Sequence, residues 1–319
     1  MCAHSNPLGS HGCMSTVCEW AIALGQVIDV STWKNYGSAL NSYLSFVCMH
    51  NVPIEPTAET LSLYTVYMCH HIKPDSVDTY LSGICHQLEP YFPDVWQIRK
   101  SRLVHRTLDG CKHLRGRPTV RKRALTIADL SMVCDTYSHD HTHNNLLFCT
   151  QLCVGFFALV HLGELTWPDD MELHDPRKLT RRNTVVMNNN SLQFFLPSHK
   201  ADKFFEGNSI ILRTNPFPCN PMDLFVEYLK SRDRLFPLSS PLWLNDKGVV
   251  PTRSFFMRRL RVFFSSNIGG QSMRAGGATS LAENGVAPHI IQGIGQWASS
   301  TWQIYICKHP VLLQAMLHT

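Results

Sequence analysis

This 319-residue chain lacks long apolar runs and an apolar leader segment. Its longest apolar stretch, residues 146–160, is about fifteen residues long and contains Gln151, so it is too short and too polar to span a bilayer. The first 16 residues contain no basic segment followed by an apolar one, which predicts no secretory signal. We therefore expect an intracellular protein with no membrane partner.

Cysteine motifs are also missing, although the chain contains 12 cysteines. They are scattered and none forms a Cys-x-x-Cys pair, which excludes the commonest zinc knuckle and thioredoxin signatures. Reduced, buried thiols are the favoured interpretation. His139, His141 and His143 alternate in a polar segment, where a solvated loop is favoured over a metal site. We expect no metal and no cofactor.

Positive charge is concentrated in one segment. Residues 99–123 contain ten of the 29 basic residues and the single acidic residue Asp109, a net charge of +9, whereas the remainder, with 19 basic and 23 acidic residues, has −4. Such a concentration is typical of surfaces that bind a polyanion, because neutralised phosphates release counterions. A solvated helix face joined to a basic linker is the alternative. The ten residues are Arg99, Lys100, Arg102, Arg106, Lys112, Arg115, Arg117, Arg121, Lys122 and Arg123.

The length predicts two domains, each large enough to bury a core. Residues 16–115 follow helical periodicity and predict a compact bundle after a tail at 1–15. The basic segment 116–124 contains Gly116 and Pro118 and is predicted to be an interdomain linker. The predicted helices of the first domain lie near residues 18–27, 32–50, 58–68, 74–88 and 101–114.

The second domain, residues 125–319, is predicted to combine helices with a small antiparallel sheet. The fold class is therefore mainly α, with a helical domain followed by an α+β domain. Thr126 is a candidate N-cap for a helix toward Tyr137, and a long apolar helix is predicted over residues 143–162. Three short strands follow at residues 184–187, 192–197 and 209–212. Later helices are predicted at residues 221–232, 251–264, 272–284, 288–294, 299–307 and 310–317.

The last fifty residues contain a distinctive set of polar and aromatic side chains. Arg274 opens a helix of small residues, Trp297 follows a turn, and Tyr305 lies eight residues further on. This arrangement resembles the catalytic end of the tyrosine recombinase and integrase superfamily. The likeness covers nearly the whole chain after residue 15. It is most similar to recombinases of fungal mobile elements, of the crypton or tyrosine-recombinase retroelement kind, including domesticated copies.

The resemblance implies a helical core-binding domain and a catalytic domain that needs no metal or nucleotide. Tyr305 would attack a DNA phosphate to form a phosphotyrosyl bond, and Arg274 would bind two phosphate oxygens. The small residues after Arg274 would let the backbone approach the phosphate. Trp297 would donate a hydrogen bond from its indole, and Lys200, with Lys203 as a weaker alternative, would protonate the leaving oxygen.

Each of these residues also has a structural interpretation: Tyr305 as a core tyrosine, Trp297 as a buried anchor and Lys200 as a solvated charge. Two positions depart from the family pattern. His161, three residues before the matching Glu164, stands where the family has arginine, and Gln271 stands where it has histidine or lysine. A neutral imidazole cannot bind a phosphate bidentately, and an amide cannot exchange a proton.

These observations predict a DNA-binding recombinase or integrase whose activity is impaired by His161 and Gln271. A catalytically inactive DNA-binding protein is the alternative, and a protein-interaction module is a remote third. Type IB topoisomerases share the nucleophile chemistry but are not favoured at this length. The expected partner is double-stranded DNA, bound by a homodimer or homotetramer, with a nuclear location. The segment 310–317 either docks on a neighbouring copy or folds back.

Overall fold

The computed structural model describes residues 29–118, 121–198, 202, 205–217 and 219–297. The chain divides into two compact units between residues 119 and 120, inside the basic segment 116–124. None of the described helices is long and apolar enough to cross a membrane. The predicted helices at 18–27, 299–307 and 310–317 lie outside the described residues.

The first unit is helical throughout its described length. Asp29 and Thr57 cap the first two helices with their side chains, and Pro74 occupies the first turn of the third, where its missing N–H costs no hydrogen bond. The fourth helix has only five residues, too few to produce a periodic signal, and the sequence prediction missed it. The helices are α1 (Val30–His50), α2 (Ala58–Met68), α3 (Pro74–Leu88), α4 (Val95–Arg99) and α5 (Arg102–Arg115).

Aromatic and aliphatic side chains fill the core of this first unit. Tyr43 and Tyr64 are fully buried and meet edge to face, with ring centroids 5.5 Å apart. Val77, Leu81 and Ile84 project from one face of α3 into the same core. The period of these buried residues on α3 matches one side of a helix, which explains why sequence periodicity predicted it correctly.

The second unit combines further helices with the sheet. Its described residues form a three-stranded antiparallel sheet, as predicted, and the strands neighbour one another in chain order. The helices before the sheet are α6 (Ile127–Tyr137), α7 (His143–Phe157) and α8 (Leu162–Leu165). The strands are β1 (Val186–Asn188), β2 (Ser191–Leu196) and β3 (Asn208–Arg213). The helices after it are α9 (Pro221–Leu235), α10 (Arg253–Phe263), α11 (Gln271–Glu283) and α12 (Pro288–Ile294), and 3-10 turns lie at Met171–Leu173, Pro176–Lys178 and Arg182–Thr184.

One face of the sheet joins the core of the second unit. Leu192, Phe194 and Leu196 alternate along β2 and are buried, whereas the residues between them are more exposed. Phe194 lies opposite Ile210 in the register and packs against Phe225 of α9, with ring centroids 5.8 Å apart. The observed architecture confirms the predicted fold class.

The predicted long helix over residues 143–162 is wrong at its C-terminal end. Helix α7 ends at Phe157, and Leu159 adopts a left-handed backbone with φ of 54°, which is rare for a residue other than glycine. Thirteen of the fifteen residues of α7 are buried, so the apolar run continues past the helix end into a buried turn. Apolar character indicated burial here, and it gave no information on where the helix stops.

The prediction of a solvated histidine loop holds for His139 and His141, which are exposed, and is wrong for His143. His143 opens α7 and is 8% exposed, with its ring stacked on Tyr228 at a centroid distance of 5.4 Å. Its ring nitrogens lie 3.0 Å from Ser231 Oγ and 2.9 Å from the Leu244 carbonyl oxygen. Burial lowers the pKa of His143, so this residue is a neutral core histidine.

Candidate active site and basic surface

Glycines place helix α11 in close contact with its neighbours. A Cβ on Gly277 would lie 1.9 Å from the Phe156 carbonyl oxygen, and one on Gly276 would lie 2.1 Å from that of Leu125. Such distances exclude any side chain, so both positions require glycine. The sequence interpretation assigned these small residues to a phosphate approach, whereas here they seat α11 against the end of α7 and against residue 125.

Arg274 is buried by this packing, and it is 6% exposed. Its Nη1 donates to the Leu159 carbonyl at 2.9 Å, and its Nη2 donates to the Gly295 carbonyl. The guanidinium also lies over the Trp297 ring, 4.2 Å from the centroid. Arg274 therefore connects α11 to the turn after α7 and to the end of α12.

Both turns that accept from Arg274 contain a left-handed residue. Leu159 has φ of 54° and supplies its own carbonyl, and Gln296, also at 54°, follows Gly295 directly. Non-glycine residues in this region cost on the order of 1–3 kcal/mol each and persist where surrounding contacts hold them. Because Leu159 and Gly295 contribute backbone carbonyls, no residue-type signal in the sequence could have found them.

His161 and Glu164 form a reciprocal cap at the start of α8. The His161 N–H donates to Glu164 Oε2 at 2.7 Å, and the Glu164 N–H donates to the His161 carbonyl at 2.9 Å. Burial raises the pKa of Glu164 to about 7, against the opposing effects of this hydrogen bond and of the nearby Arg274 charge. Glu164 therefore lies close enough to Arg274 for their charges to interact.

Gln271 is exposed in the first turn of α11, one helical turn before Arg274. Basic residues at the start of the second unit bond to the loop that precedes this helix. The Arg123 N–H donates to the Asn267 carbonyl at 2.8 Å, and Lys122 Nζ donates to the Ser266 carbonyl at 2.5 Å. The segment 121–123 thus runs beside the loop that leads into α11, and it brings positive charge to the Gln271 end of the site.

Trp297 is half-buried against a small apolar cluster that includes Leu159, Ala278 and Ile291. The Gln292 side chain donates to the Trp297 carbonyl at 3.0 Å. These contacts match the anchor interpretation of Trp297. The ring also faces the Arg274 guanidinium, so anchoring and a role beside Arg274 are compatible.

The structure brings His161, Glu164, Arg274 and Trp297 together around the turn that follows α7. Gln271 lies at the near end of the same helix as Arg274. Tyr305 and Lys200, together with the alternative Lys203, lie outside the described residues. Their roles stay predictions.

A cavity of about 230 Å³ borders these turns. Its walls include Ala158 next to Leu159, and Gln296 next to Trp297. Strand β3 contributes Asn208 to Ile211 on the opposite wall. Asn208, the first of these residues, begins β3.

In the first unit, the basic residues of α5 lie opposite its buried face. Val104, Leu108 and Cys111 are buried, whereas Arg102 and Arg106, one turn apart, are exposed. Hydrophobic burial therefore orients α5 so that this pair points to solvent. Two long side chains on one exposed helix face can reach successive phosphates.

Other members of the predicted basic set make structural contacts. Arg99 donates to Asp78 Oδ1 at 2.8 Å and to Ser82 Oγ at 3.0 Å, and its side chain is only 21% exposed. Arg123 binds both carboxylate oxygens of Asp129, at 2.7 and 3.1 Å, and this contact raises the pKa of Arg123. Sequence composition cannot separate such residues from solvated ones.

The remaining basic residues differ in exposure. Arg115 is exposed, and its guanidinium lies 2.8 Å from a ring nitrogen of His70. Lys112 is half-buried. Lys100, Arg117 and Arg121 are exposed.

No family description and no curated protein matches this sequence. Solved structures do match. The Tn1549 transposon integrase in complex with circular intermediate DNA superimposes with a TM-score of 0.55 at 14% identity, over 90% of this chain and 98% of that one. The XerH site-specific recombinase in a post-cleavage complex with difH substrate gives 0.54 at 13% identity, over 82% and 69%. A lambda integrase tetramer bound to a Holliday junction gives 0.51 at 12% identity, over 91% and 77%.

At such low sequence identities the likeness establishes the fold of this chain. It does not establish which reaction the residues of the candidate site perform. It extends across both units, since each superposition includes more than four-fifths of this chain. The chain therefore has the fold of the tyrosine recombinases and integrases, a helical domain followed by a mixed domain with a small antiparallel sheet.

Proposed function

We propose that this chain is a DNA-binding protein of the tyrosine-recombinase kind that cleaves and rejoins DNA slowly through Tyr305. One observation carries the proposal: helix α11 brings Arg274 to the turn that carries His161 and Glu164, and places it against Trp297. The shared fold and the basic segment beside α11 support the same conclusion.

In the proposed reaction the Tyr305 hydroxyl gives its proton to water as its oxygen attacks the phosphorus, and the 5′ oxygen leaves with a proton supplied by Lys200. The bond between phosphorus and the 5′ oxygen breaks as the phosphotyrosyl bond forms, and attack by a 5′ hydroxyl reverses the step. A tyrosine with a pKa of about 10 is neutral near pH 7, so the phosphate must be bound by cations as charge develops. Arg274 is the proposed main donor, and the Trp297 indole N–H is a second.

Burial of Arg274 sets a condition on this reaction. Arg274 is 6% exposed and two of its five N–H groups donate to the Leu159 and Gly295 carbonyls, so direct contact with a phosphate requires its other N–H groups to become more accessible. His161 stands in place of an arginine, and an imidazole cannot bind two oxygens of one phosphate as a guanidinium does. Loss of one preorganised donor typically reduces the rate by about 10²- to 10³-fold. A slow enzyme is the expected result.

DNA binding without cleavage is the second candidate function. The observation that favours it is the engagement of Arg274 with two backbone carbonyls and an aromatic ring, which gives this residue a structural role independent of any phosphate. His161 and Gln271 favour it also. Both candidates predict DNA binding, and they differ only in the covalent step.

The deciding experiment incubates the full-length protein with nicked suicide substrates and looks for a covalent protein–DNA adduct. We expect a slowly formed adduct that is absent in Tyr305→Phe. The companion variant His161→Arg with Gln271→His should form the adduct faster. DNA binding without an adduct, in the wild-type protein and in this double variant, would support the binding-only function. Failure of the wild-type protein to bind DNA at moderate salt would exclude both candidate functions.

The biological setting is part of the proposal. We propose that two or four copies act on paired DNA sites, that the protein works in the nucleus, and that it derives from a mobile element of the crypton or tyrosine-recombinase retroelement kind. The lambda integrase structure is a tetramer on a Holliday junction, which supports assembly on DNA for a protein of this fold. Measurement of the mass of the DNA complex by light scattering tests the copy number.

A further inference from the structure

Three cysteines converge inside the second unit, and a fourth lies one helical turn from one of them. Cys134 lies on α6, Cys149 and Cys153 lie one turn apart on α7, and Cys219 directly precedes the N-cap of α9. Three of them are nearly or fully buried, and Cys134 is partly exposed. Residues far apart in the sequence thus supply thiols to one place.

The sulfur atoms lie at distances that suit a shared ligand. The Sγ atoms of Cys134 and Cys153 are 4.0 Å apart, those of Cys153 and Cys219 are 3.1 Å apart, and all three lie within 4.8 Å of one another. A tetrahedral Zn²⁺ ion with Zn–S bonds of about 2.3 Å holds its sulfurs about 3.8 Å apart. The observed separations fall on both sides of that value.

Cys149 is the fourth thiol at this place. It is buried and borders the same cavity as Cys134 and Cys219. Its spacing of four residues from Cys153 puts both thiols on the same face of α7, the spacing that lets two side chains of one helix bind a single metal ion. Three parts of the chain therefore supply the four sulfurs: α6, α7 and the residue before the N-cap of α9.

The surroundings favour a cation at this position. A cavity of about 220 Å³ is bordered by Cys134, Cys149 and Cys219, so an ion can reach the thiols from solvent. Its walls also contain the carboxylates of Asp135, Asp140, Asp223 and Glu227.

We propose that Cys134, Cys149, Cys153 and Cys219 bind one structural Zn²⁺ ion. With four protein ligands the site is closed, which is typical of a structural rather than a catalytic centre. The ion would join α6, α7 and the start of α9. Helix α7 ends at the turn that supplies the Leu159 carbonyl to Arg274, so the metal would also stabilise that turn.

The test measures the metal content of the full-length chain, purified under reducing conditions without chelator, by elemental analysis and native mass spectrometry. We expect one zinc ion per chain. Replacement with Co²⁺ should give the intense sulfur-to-cobalt charge-transfer absorption and the visible bands of a tetrahedral thiolate site. Zinc removal should lower the thermal midpoint of the second unit, because binding free energy at such sites is folding free energy.

Matched variants separate metal binding from general damage to the core. Cys134→Ser should lose zinc, whereas Cys134→His should retain it, because imidazole is a zinc ligand and a hydroxyl is a poor one. Cys85→Ser is the control: Cys85 is a buried thiol in the first unit that donates to the Val95 carbonyl, and its replacement should leave the zinc content unchanged.

Two results would overturn the proposal. One is a folded, metal-free protein in which all four thiols are reduced and Co²⁺ gives no thiolate absorption. The other is a disulfide between Cys153 and Cys219, seen by peptide mapping under non-reducing conditions, which would show that their proximity serves oxidation instead of metal binding. Neither result would bear on DNA cleavage, which the adduct assay measures separately.

Discussion

A single guanidinium, that of Arg274, satisfies carbonyls from two separate turns. Removal of that side chain leaves the Leu159 and Gly295 carbonyls without this donor and removes the ring contact with Trp297. A buried polar group that loses its partner costs about 1–3 kcal/mol. The sequence identified Arg274 as important through a resemblance, but it did not predict that the residue would be buried.

We predict that Arg274→Ala lowers the free energy of unfolding of the second unit by about 3 kcal/mol, as the sum of these losses. The measurement is chemical denaturation of the full-length chain. Arg258→Ala is the matched control, because Arg258 is an exposed arginine on α10 and its replacement should change stability by less than about 0.5 kcal/mol. Equal, small effects of both variants would contradict the structural role of Arg274.

Glu164 makes stability depend on pH near neutrality. Its pKa is about 7 in the folded protein and near the ordinary value of 4.5 when unfolded. The folded state therefore holds the proton more tightly, and its stabilising contribution is complete below pH 4.5 and is lost as pH rises through 7. The direction follows from burial of the carboxyl group, which sequence alone did not indicate.

We predict that Glu164→Gln removes this pH dependence. Relative to the variant, the wild-type protein should lose up to about 3 kcal/mol of unfolding free energy between pH 5 and pH 8. Denaturation of both proteins across that range gives the difference at each pH. A parallel pH profile for the two proteins would show that Glu164 is ionised throughout.

At the scale of elements, the closest packing occurs between α11 and the end of α7. We predict that Gly277→Ala destabilises the protein by about 1–3 kcal/mol or more. This range is the usual cost of forcing an extra methyl group into a packed core. The new Cβ would lie 1.9 Å from the Phe156 carbonyl oxygen, a backbone atom that cannot rotate away. Thermal denaturation of the full-length chain measures the change.

Gly37→Ala is expected to have the opposite effect on stability in the same assay. Gly37 lies inside α1, and nothing lies within 4 Å of its added Cβ. Alanine should therefore stabilise α1 by about 0.5–1 kcal/mol through helix propensity and reduced freedom of the unfolded chain. If Gly277→Ala and Gly37→Ala shifted stability in the same direction, the close contact of α11 would not be the cause of the Gly277→Ala effect.

Element boundaries were predictable where a local signal marks them. Thr57 and Thr126 form capping boxes at the starts of α2 and α6, and Pro74 starts α3. The end of α7 has no such signal, because Leu159 is held in its left-handed backbone by buried contacts made with residues far along the chain. Capping residues and proline in the sequence therefore predict where these helices start, whereas no local signal predicts where α7 ends.

At the scale of the whole molecule, positive charge governs the predicted binding of DNA. We predict that replacement of both Arg102 and Arg106 by alanine weakens binding to all sequences alike and reduces the slope of log affinity against log salt by about one for each phosphate that the protein no longer neutralises. Fluorescence anisotropy with duplex DNA at several salt concentrations gives the slope. The result tests whether the exposed face of α5 contacts phosphates.

Arg99→Ala separates charge from structure in that experiment. Arg99 is bonded to Asp78 and Ser82, so its loss should lower stability and leave the salt slope nearly unchanged. An unchanged slope in the Arg102 and Arg106 variant, together with a reduced slope in Arg99→Ala, would mean that the phosphates are bound elsewhere on the chain.

The amino-acid sequence by itself determined the order of the longer helices and of the three strands, the concentration of basic residues between 99 and 123 and the likeness carried by Arg274 and Trp297, because periodicity, capping residues and side-chain types are local properties. Only the tertiary structure decided which arginines are solvated, that Arg274 is buried against the Leu159 and Gly295 carbonyls, and that Cys134, Cys153 and Cys219 meet. These features depend on contacts between residues separated by tens of positions, and composition and periodicity do not encode such contacts.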